Sequence, residues 1–398
     1  MDKIEWNDFE PAVFERARRA DRPVLLVLTT SWCPHSRELL ATSLAEPEIV
    51  ELVRAGFVAV QVDAERRPDV NTRYGSGGWP TLAYLTPDGE LIANDRFLTG
   101  PELLVRLRRV AEFFRTKRGE IERGLQKLLS QKDEDERAGA SRGVLRMTMV
   151  DDVADAIFER YDHRHGGFGD ASKFPHPEAI DFALVRYVKL GDERMREVVH
   201  TTLTRMMEGA IHDSVDGGFF RYSSTPDWQS PHYEKVLDAN AMLLRNYLEA
   251  YQVFGDRALR RTAEGIVDWL IGSLLDPDTG AFRGSRDADA EYYQLDKNAR
   301  ARREAPRLDP TIYANANAMA VSALLKAAVT LDRPELRDHA MRALTFVLEN
   351  LVQRDAGVFH YWDGTYHLPG MLADQAYLIR ALVDASQHTG DADYLLAG

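Results

Sequence analysis

Four glycine-aromatic segments recur through the later part of the chain, and their repetition constrains its architecture more than any other feature. They are Gly166-Gly167-Phe168-Gly169, Gly217-Gly218-Phe219-Phe220, Gly280-Ala281-Phe282 and Gly357-Val358-Phe359. Asp216, Asp278 and Asp355 shortly precede three of them. The intervals run from about fifty to seventy-seven residues, each long enough for two helices and their loops. Amphipathic stretches over 178–190 and 193–210, 237–254 and 256–274, and 312–330 and 333–352 supply the helix pairs. Such a pair cannot bury its apolar face alone, so neighbouring pairs must stack to make a core. The repetition predicts an all-α domain of helical hairpins over 146–398, either an α/α solenoid or a toroid.

Residues 1–115 follow a different pattern, alternating α and β. Pro23-Val24-Leu25-Leu26-Val27-Leu28 and Phe57-Val58-Ala59-Val60-Gln61-Val62 have the continuous apolar character of buried strands. Thr86-Pro87-Asp88-Gly89 is a hairpin turn signal between the runs 81–85 and 90–93. Helices are expected after the first strand through Leu44, over 47–55, and from Pro101 onward. Between the first strand and its helix stands Trp32-Cys33-Pro34-His35-Ser36. A cysteine at a helix N-terminus meets unpaired amides and a partial positive charge, both of which favour a thiolate. With Trp79-Pro80-Thr81 opening a later strand, the segment resembles the thioredoxin superfamily, in which a proline at that place is cis and faces the cysteine. Dithiol exchange needs a second cysteine. Ser36 stands in that place and Cys33 is the only cysteine in the sequence, which leaves monothiol chemistry with an external thiol, or a site that has lost its redox role.

Residues 116–145 are dense in charge and weak in apolar spacing, as expected of a helical linker between two domains. The net charge of −13 disfavours nucleic acid and anionic lipid as partners. No apolar run approaches a membrane span, and the first residues lack the pattern of a signal peptide. With a single cysteine, the expectation is a cytoplasmic protein.

Seven of the eleven histidines fall in or beside loops of the helical half: His163, His165, His176, His212, His232, His360 and His367. In a toroid such loops gather at one end and line a cup, a natural place for a polar site. The densest run extends from Gly217 through Arg221, Tyr222, Trp228, His232 and Glu234 to Asp238, and a second comprises Asp287, Asp289 and Glu291. Paired carboxylates and a histidine are the residues of general acid–base chemistry, and aromatic faces suit the C–H face of a sugar ring. His232, Glu234, Asp287 and Asp289 are therefore the acid/base candidates, and Arg221, Tyr222, Trp228, Asp238 and His176 the candidates for holding substrate. Helix termination, capping and ion pairing offer each of these residues a purely structural role. Asp287-x-Asp289-x-Glu291 starts like a calcium loop, but Tyr292 and Asn298 occupy the places of the required glycine and glutamate. No metal site and no cofactor is expected.

The ordered set of motifs resembles the spermatogenesis-associated thioredoxin-like family. It comprises Glu46-Pro47-Glu48-Ile49, the run Val62–Val70, Gly77-Gly78-Trp79-Pro80-Thr81, Leu85–Gly89, Gly166–Gly169 with Lys173-Phe174-Pro175, Gly217–Asp238 and Asp287-Ala288-Asp289. The resemblance implies an α/β thioredoxin-like domain followed by an α/α toroid of the six-hairpin glycosidase type. Trp32, Ser36, Trp79 and Pro80 would surround Cys33. Two departures stand out: the family pattern usually has two cysteines, and its chains are longer, so that eight or nine toroid helices rather than twelve are expected here and the toroid is open, shortened or completed by another chain. Three functions follow as expectations. The toroid binds or processes a carbohydrate-like small molecule, or Cys33 exchanges with a small or protein thiol, or both sites are degenerate and the chain is a scaffold.

Overall fold

The computed structural model describes residues 3–120, 123, 124, 127, 130, 131, 146 and 148–397. The chain divides into two compact units, Met1–Leu145 and Arg146–Gly398. The linker expected over 116–145 falls largely outside the described residues.

In the first unit a four-stranded sheet has the order β2-β1-β3-β4, with β1 Val24–Thr29, β2 Val58–Asp63, β3 Thr81–Leu85 and β4 Leu91–Asp95. β1 and β2 run parallel, and β3 runs antiparallel to both β1 and β4. Every residue of β1 is buried because alternate side chains enter two different cores. Leu25 and Val27 pack with Ile49 and Val53 of helix Pro47–Gly56 and with Leu103 and Leu107 of helix Gly100–Thr116. Leu26 and Leu28 pack on the other face with Val13 and Ala17 of helix Pro11–Ala20 and with Val70 and Tyr74 of helix Pro68–Tyr74. The sheet is thus a middle layer between helices, and its β1 end delivers the chain to Cys33.

The second unit is built on four long helices that neighbour one another in succession: Pro177–Leu190, Leu237–Phe254, Ala314–Thr330 and Leu372–Thr389. Helices Glu193–Glu208, Arg257–Trp269 and Glu335–Asn350 each pack beside the inner helix that precedes them. Ala314–Thr330, with inner neighbours on both sides, is buried around most of its circumference and is correspondingly rich in alanine. The helical half also contains strands that its sequence does not announce. Most are two-residue ladders, too short to carry an alternating pattern, and the longest forms a hairpin of Gly357–Trp362 with Tyr366–Pro369.

Three of the four glycine-aromatic loops, those at Gly166, Gly217 and Gly280, share one construction. Asp162, Asp213 and Asp276 each stand four residues before the first glycine, and each accepts that glycine's N–H on its backbone carbonyl at 2.8 Å. Their carboxylates accept backbone N–H groups two residues on, from Arg164, Val215 and Asp278. A cation closes each loop: Lys173 Nζ lies 2.7 Å from Asp162, Lys235 Nζ 2.5 Å from Asp213, and an Arg283 nitrogen 2.9 Å from Asp276. In the two central repeats an asparagine of the next inner helix clamps the aromatic residue. Asn240 accepts from Phe219 N–H and donates to Phe219 and Val236 carbonyls; Asn317 does the same to Phe282 and Tyr313. The aspartates singled out by sequence, Asp216, Asp278 and Asp355, are not these organising residues.

Candidate functional site

Local strand pairing assembles the candidate site. Tyr222 pairs with His232 across a two-residue antiparallel ladder, and their rings stack at 4.0 Å with 13° between planes. Phe174 stacks on Tyr222 at 4.6 Å and 11°. Two near-parallel partners at such distances occupy opposite faces of Tyr222, so the three rings form one stack. The Arg221 guanidinium lies 5.2 Å from the Tyr222 centroid and 5.7 Å from that of Phe174. Phe174 belonged to a quoted motif without being assigned a role; it is 37% exposed, high for a large apolar ring in an ordered loop. His176 caps helix Pro177–Leu190 in a left-handed conformation and lies 5.8 Å from the Phe168 ring and 6.3 Å from Phe174.

Asp238, in the first turn of helix Leu237–Phe254, stands close to Arg221 and Glu178. Burial pushes its carboxyl above the usual aspartate range; Glu178 reinforces the shift, while Ala239 N–H and Arg221 oppose it. Arg221 therefore links the two groups, lying beside the aromatic stack and acting on the Asp238 carboxyl. Glu178 is the acidic residue that sequence reasoning passed over, because nothing local marks the first turn of its helix as facing Asp238.

The two acidic runs do meet. Lys235 and Val236 pair with Arg286 and Ser285, and Ser285 and Arg286 pair with Asp309 and Leu308. Continuing the antiparallel register sets Glu234 opposite Asp287. Both are buried, at 3% and 5% exposure, and Arg307 Nε lies 3.2 Å from Asp287. They lie beneath the surface. Asp289 does something else: its carboxylate caps the short helix Ala290–Tyr293 by accepting Tyr292 N–H at 2.9 Å. Trp228, expected to hold substrate, has no exposed surface; its indole N–H donates to His165 carbonyl at 2.9 Å, and its ring fills the space over Gly167. Its role is to hold the 163–169 loop. Lys235 is likewise enclosed, bonded to Asp213 and Gly217, and burial pushes its ammonium down to about 8. Arg300 completes that buried network on Asp213 and Asp216.

In the first unit Cys33 is the N-cap of helix Pro34–Ala41, and the Trp79–Pro80 bond is cis. The thiol is 3.6 Å from the Trp79 carbonyl, and the residue is only 5% exposed. Trp32 and Trp79 meet edge to face at 5.4 Å, and Ser36 is buried with its hydroxyl oxygen 3.5 Å from Thr30 N. Among the described residues no group of three His, Cys, Asp or Glu is arranged to hold a metal ion, and no helix is long and apolar enough to cross a membrane.

The model of the family Thioredox_DsbH, described as a protein of unknown function, DUF255, matches residues 1–132. Spermatogenesis-associated protein 20 of Homo sapiens is 29% identical over 322 residues, covering 73% of this chain and 41% of its own length. The chain is similar to spermatogenesis-associated protein 20. It spans about two fifths of the length of the curated relatives it matches. The helical unit shares the α/α toroid type of fold with sugar-acting enzymes. A family 76 glycoside hydrolase from a bovine Bacteroides thetaiotaomicron strain superposes with a TM-score of 0.50 at 13% identity, over 63% of this chain and 52% of that one. Cellobiose 2-epimerase from Spirochaeta thermophila aligns over 63% of this chain and 68% of its own with a TM-score of 0.49 and 15% identity. At such identities the likeness concerns the fold alone.

Proposed function

We propose that the helical unit binds a carbohydrate-like small molecule at the mouth formed by Phe174, Tyr222, His232, Arg221 and Asp238, and carries out acid–base chemistry on it. The observation that carries this reading is the Phe174–Tyr222–His232 stack with Arg221 beside it, next to an aspartate whose carboxyl holds its proton unusually well. An aromatic stack offers an apolar surface to the C–H face of a sugar, and Arg221 supplies hydrogen-bond donors for its hydroxyls. His232 carries an imidazole, a side chain that can accept a proton, and serves as the base. Asp238, whose carboxyl is raised by burial, serves as the acid. Glu234 and Asp287 act from below by positioning the strands that carry His232 and Arg286.

The test is calorimetric titration of the full chain with a panel of monosaccharides and disaccharides, joined to an assay for epimerisation or glycoside cleavage. Tyr222→Ala is expected to weaken binding. His232→Ala is expected to lower turnover by about 10²-fold or more while leaving most of the binding. Absence of binding by every sugar at about ten times the usual ~1 mM upper limit of KM refutes the reading.

A further inference from the structure

The loops built on Asp162, Asp213 and Asp276 share a backbone frame that is indifferent to several of the side chains it carries. Two residues after each aspartate, only the backbone N–H enters the frame. The side chains at that place are those of Arg164, Val215 and Asp278. Two residues before each aspartate stand Arg160, Ile211 and Leu274. A guanidinium, an isopropyl group and a carboxylate are thus all compatible with one place in the frame. Arg160 and Arg164 are not what builds their loop.

Both arginines instead line an open pocket of about 830 Å³, together with His163, His165, Asp170 and His176. The loop that carries them is fixed from below. Lys173, with no exposed surface, donates to Asp162 at 2.7 Å and to the Gly166 carbonyl at 2.8 Å. Trp228 donates to the His165 carbonyl at 2.9 Å, and Thr202 Oγ1 accepts Gly167 N–H at 2.9 Å. A pocket on a loop already held in this way needs little ordering when a ligand arrives.

The charges of the lining do not cancel. Asp162 is engaged by Lys173 and by the N–H groups of Arg164 and His165. His163 Nδ1 lies 3.0 Å from Glu197, and Asp227, near His165, accepts from the Thr225 hydroxyl and from Gln229 N–H. Among the described residues no carboxylate pairs with Arg160 or Arg164, although both are exposed side chains of the lining. Asp170, the remaining carboxylate, balances one of these two guanidiniums at most. The imidazoles of His165 and His176 make no hydrogen bond in the described structure, and each can donate one. Guanidinium groups only donate, so the guest that completes this lining is an acceptor carrying negative charge.

The pocket adjoins the aromatic stack on two sides. His176 lines it with its ring 6.3 Å from Phe174, and Pro226, on the pocket wall, belongs to the loop that joins Tyr222 to His232. We propose that this pocket receives the phosphate or carboxylate group of an acidic sugar whose ring lies on the neighbouring stack, with Arg160 and Arg164 as the residues that select for the charge. The choice of a sugar rests on the proposed function, whereas the negative charge comes from the pocket itself.

Calorimetric titration of the full chain with glucose, glucose 6-phosphate, glucuronate and inorganic phosphate tests this. Glucose 6-phosphate or glucuronate is expected to bind about tenfold or more tightly than glucose, the gain of a charge-assisted hydrogen bond. That one of the two which binds more tightly identifies the charged group as phosphate or carboxylate. The gain should shrink as salt is raised. The double variant Arg160→Ala, Arg164→Ala is expected to lose the gain, and any binding of inorganic phosphate with it, while glucose affinity stays as in the parent. It should melt within about 2 °C of the parent, since neither guanidinium is bonded within the loop. The proposal is overturned if no anion binds more tightly than glucose, or if the double variant keeps full affinity for the anions. Tyr222→Ala separates the two readings. If it weakens glucose while the anions gain nothing, the stack stands and the pocket falls. If it changes no ligand while phosphate binding is lost in the double variant, the pocket stands and the stack falls.

Discussion

Replacing Asn317 by alanine tests the construction of the repeat directly. Asn317 is fully buried and makes three bonds: Phe282 N–H donates to its Oδ1 at 2.7 Å, and its Nδ2 donates to the Phe282 and Tyr313 carbonyls at 2.9 Å each. The Tyr313 carbonyl opens the following helix and keeps the intrahelical partner available to any such carbonyl. The two polar groups of Phe282 are buried with it, and alanine leaves both without the asparagine. At roughly 1–3 kcal/mol for each orphaned group, Asn317→Ala should cost about 2–6 kcal/mol, a large part of the ~5–15 kcal/mol that holds a domain folded. Asn317→Asp should cost more at neutral pH, because the carboxylate still accepts from Phe282 N–H but faces two carbonyl oxygens with no proton to give. On acidification the protonated acid regains one donor, so the aspartate variant should recover relative to the alanine variant. Guanidinium unfolding followed by circular dichroism and tryptophan fluorescence reads both, with the midpoint moving and the slope unchanged. A cost below ~1 kcal/mol for the alanine variant, or an aspartate variant no weaker than alanine at pH 7, refutes the clamp as an energetic element.

Three further outcomes are expected. Lys235→Met removes an enclosed ammonium that bonds Asp213 and Gly217; with Arg300 still on Asp213 the loss should be about 3 kcal/mol in the same unfolding experiment. Asp238→Asn should stabilise the helical unit at neutral pH: with the folded carboxyl raised above its unfolded value, the native state binds the proton more tightly, and stability falls as pH rises through that interval. The gain should disappear below about pH 4, where both states are protonated, and melting curves against pH check the sign. Cys33, 5% exposed and turned toward the Trp79 carbonyl, should be alkylated by a maleimide slowly in the native chain and rapidly after denaturation, as read by mass spectrometry.

By itself the sequence determined what is local and periodic. Continuous apolar runs marked β1 and β2, amphipathic spacing marked the helix pairs, and the order of Cys33, Trp79-Pro80 and the glycine-aromatic loops pointed to a thioredoxin-like half joined to a helical repeat. Of the candidate site, Arg221, Tyr222, His232 and Asp238 lie in one short run and were visible as a cluster. Tertiary structure alone decided which members of that run face outward. Trp228 and Asp289 have ordinary site chemistry on paper, yet one is walled in behind Gly167 and the other is spent on a helix cap. Phe174 and Glu178 joined the site from about fifty residues upstream through a ring stack and a shared charge. Lys173, Asn240 and Asn317 read as ordinary polar residues until their partners, eleven to thirty-five positions away, close around them. The pocket lined by Arg160, His176 and Pro226 is the extreme case. A cavity is a property of packed neighbours, and those neighbours exist only when separate loops stand side by side.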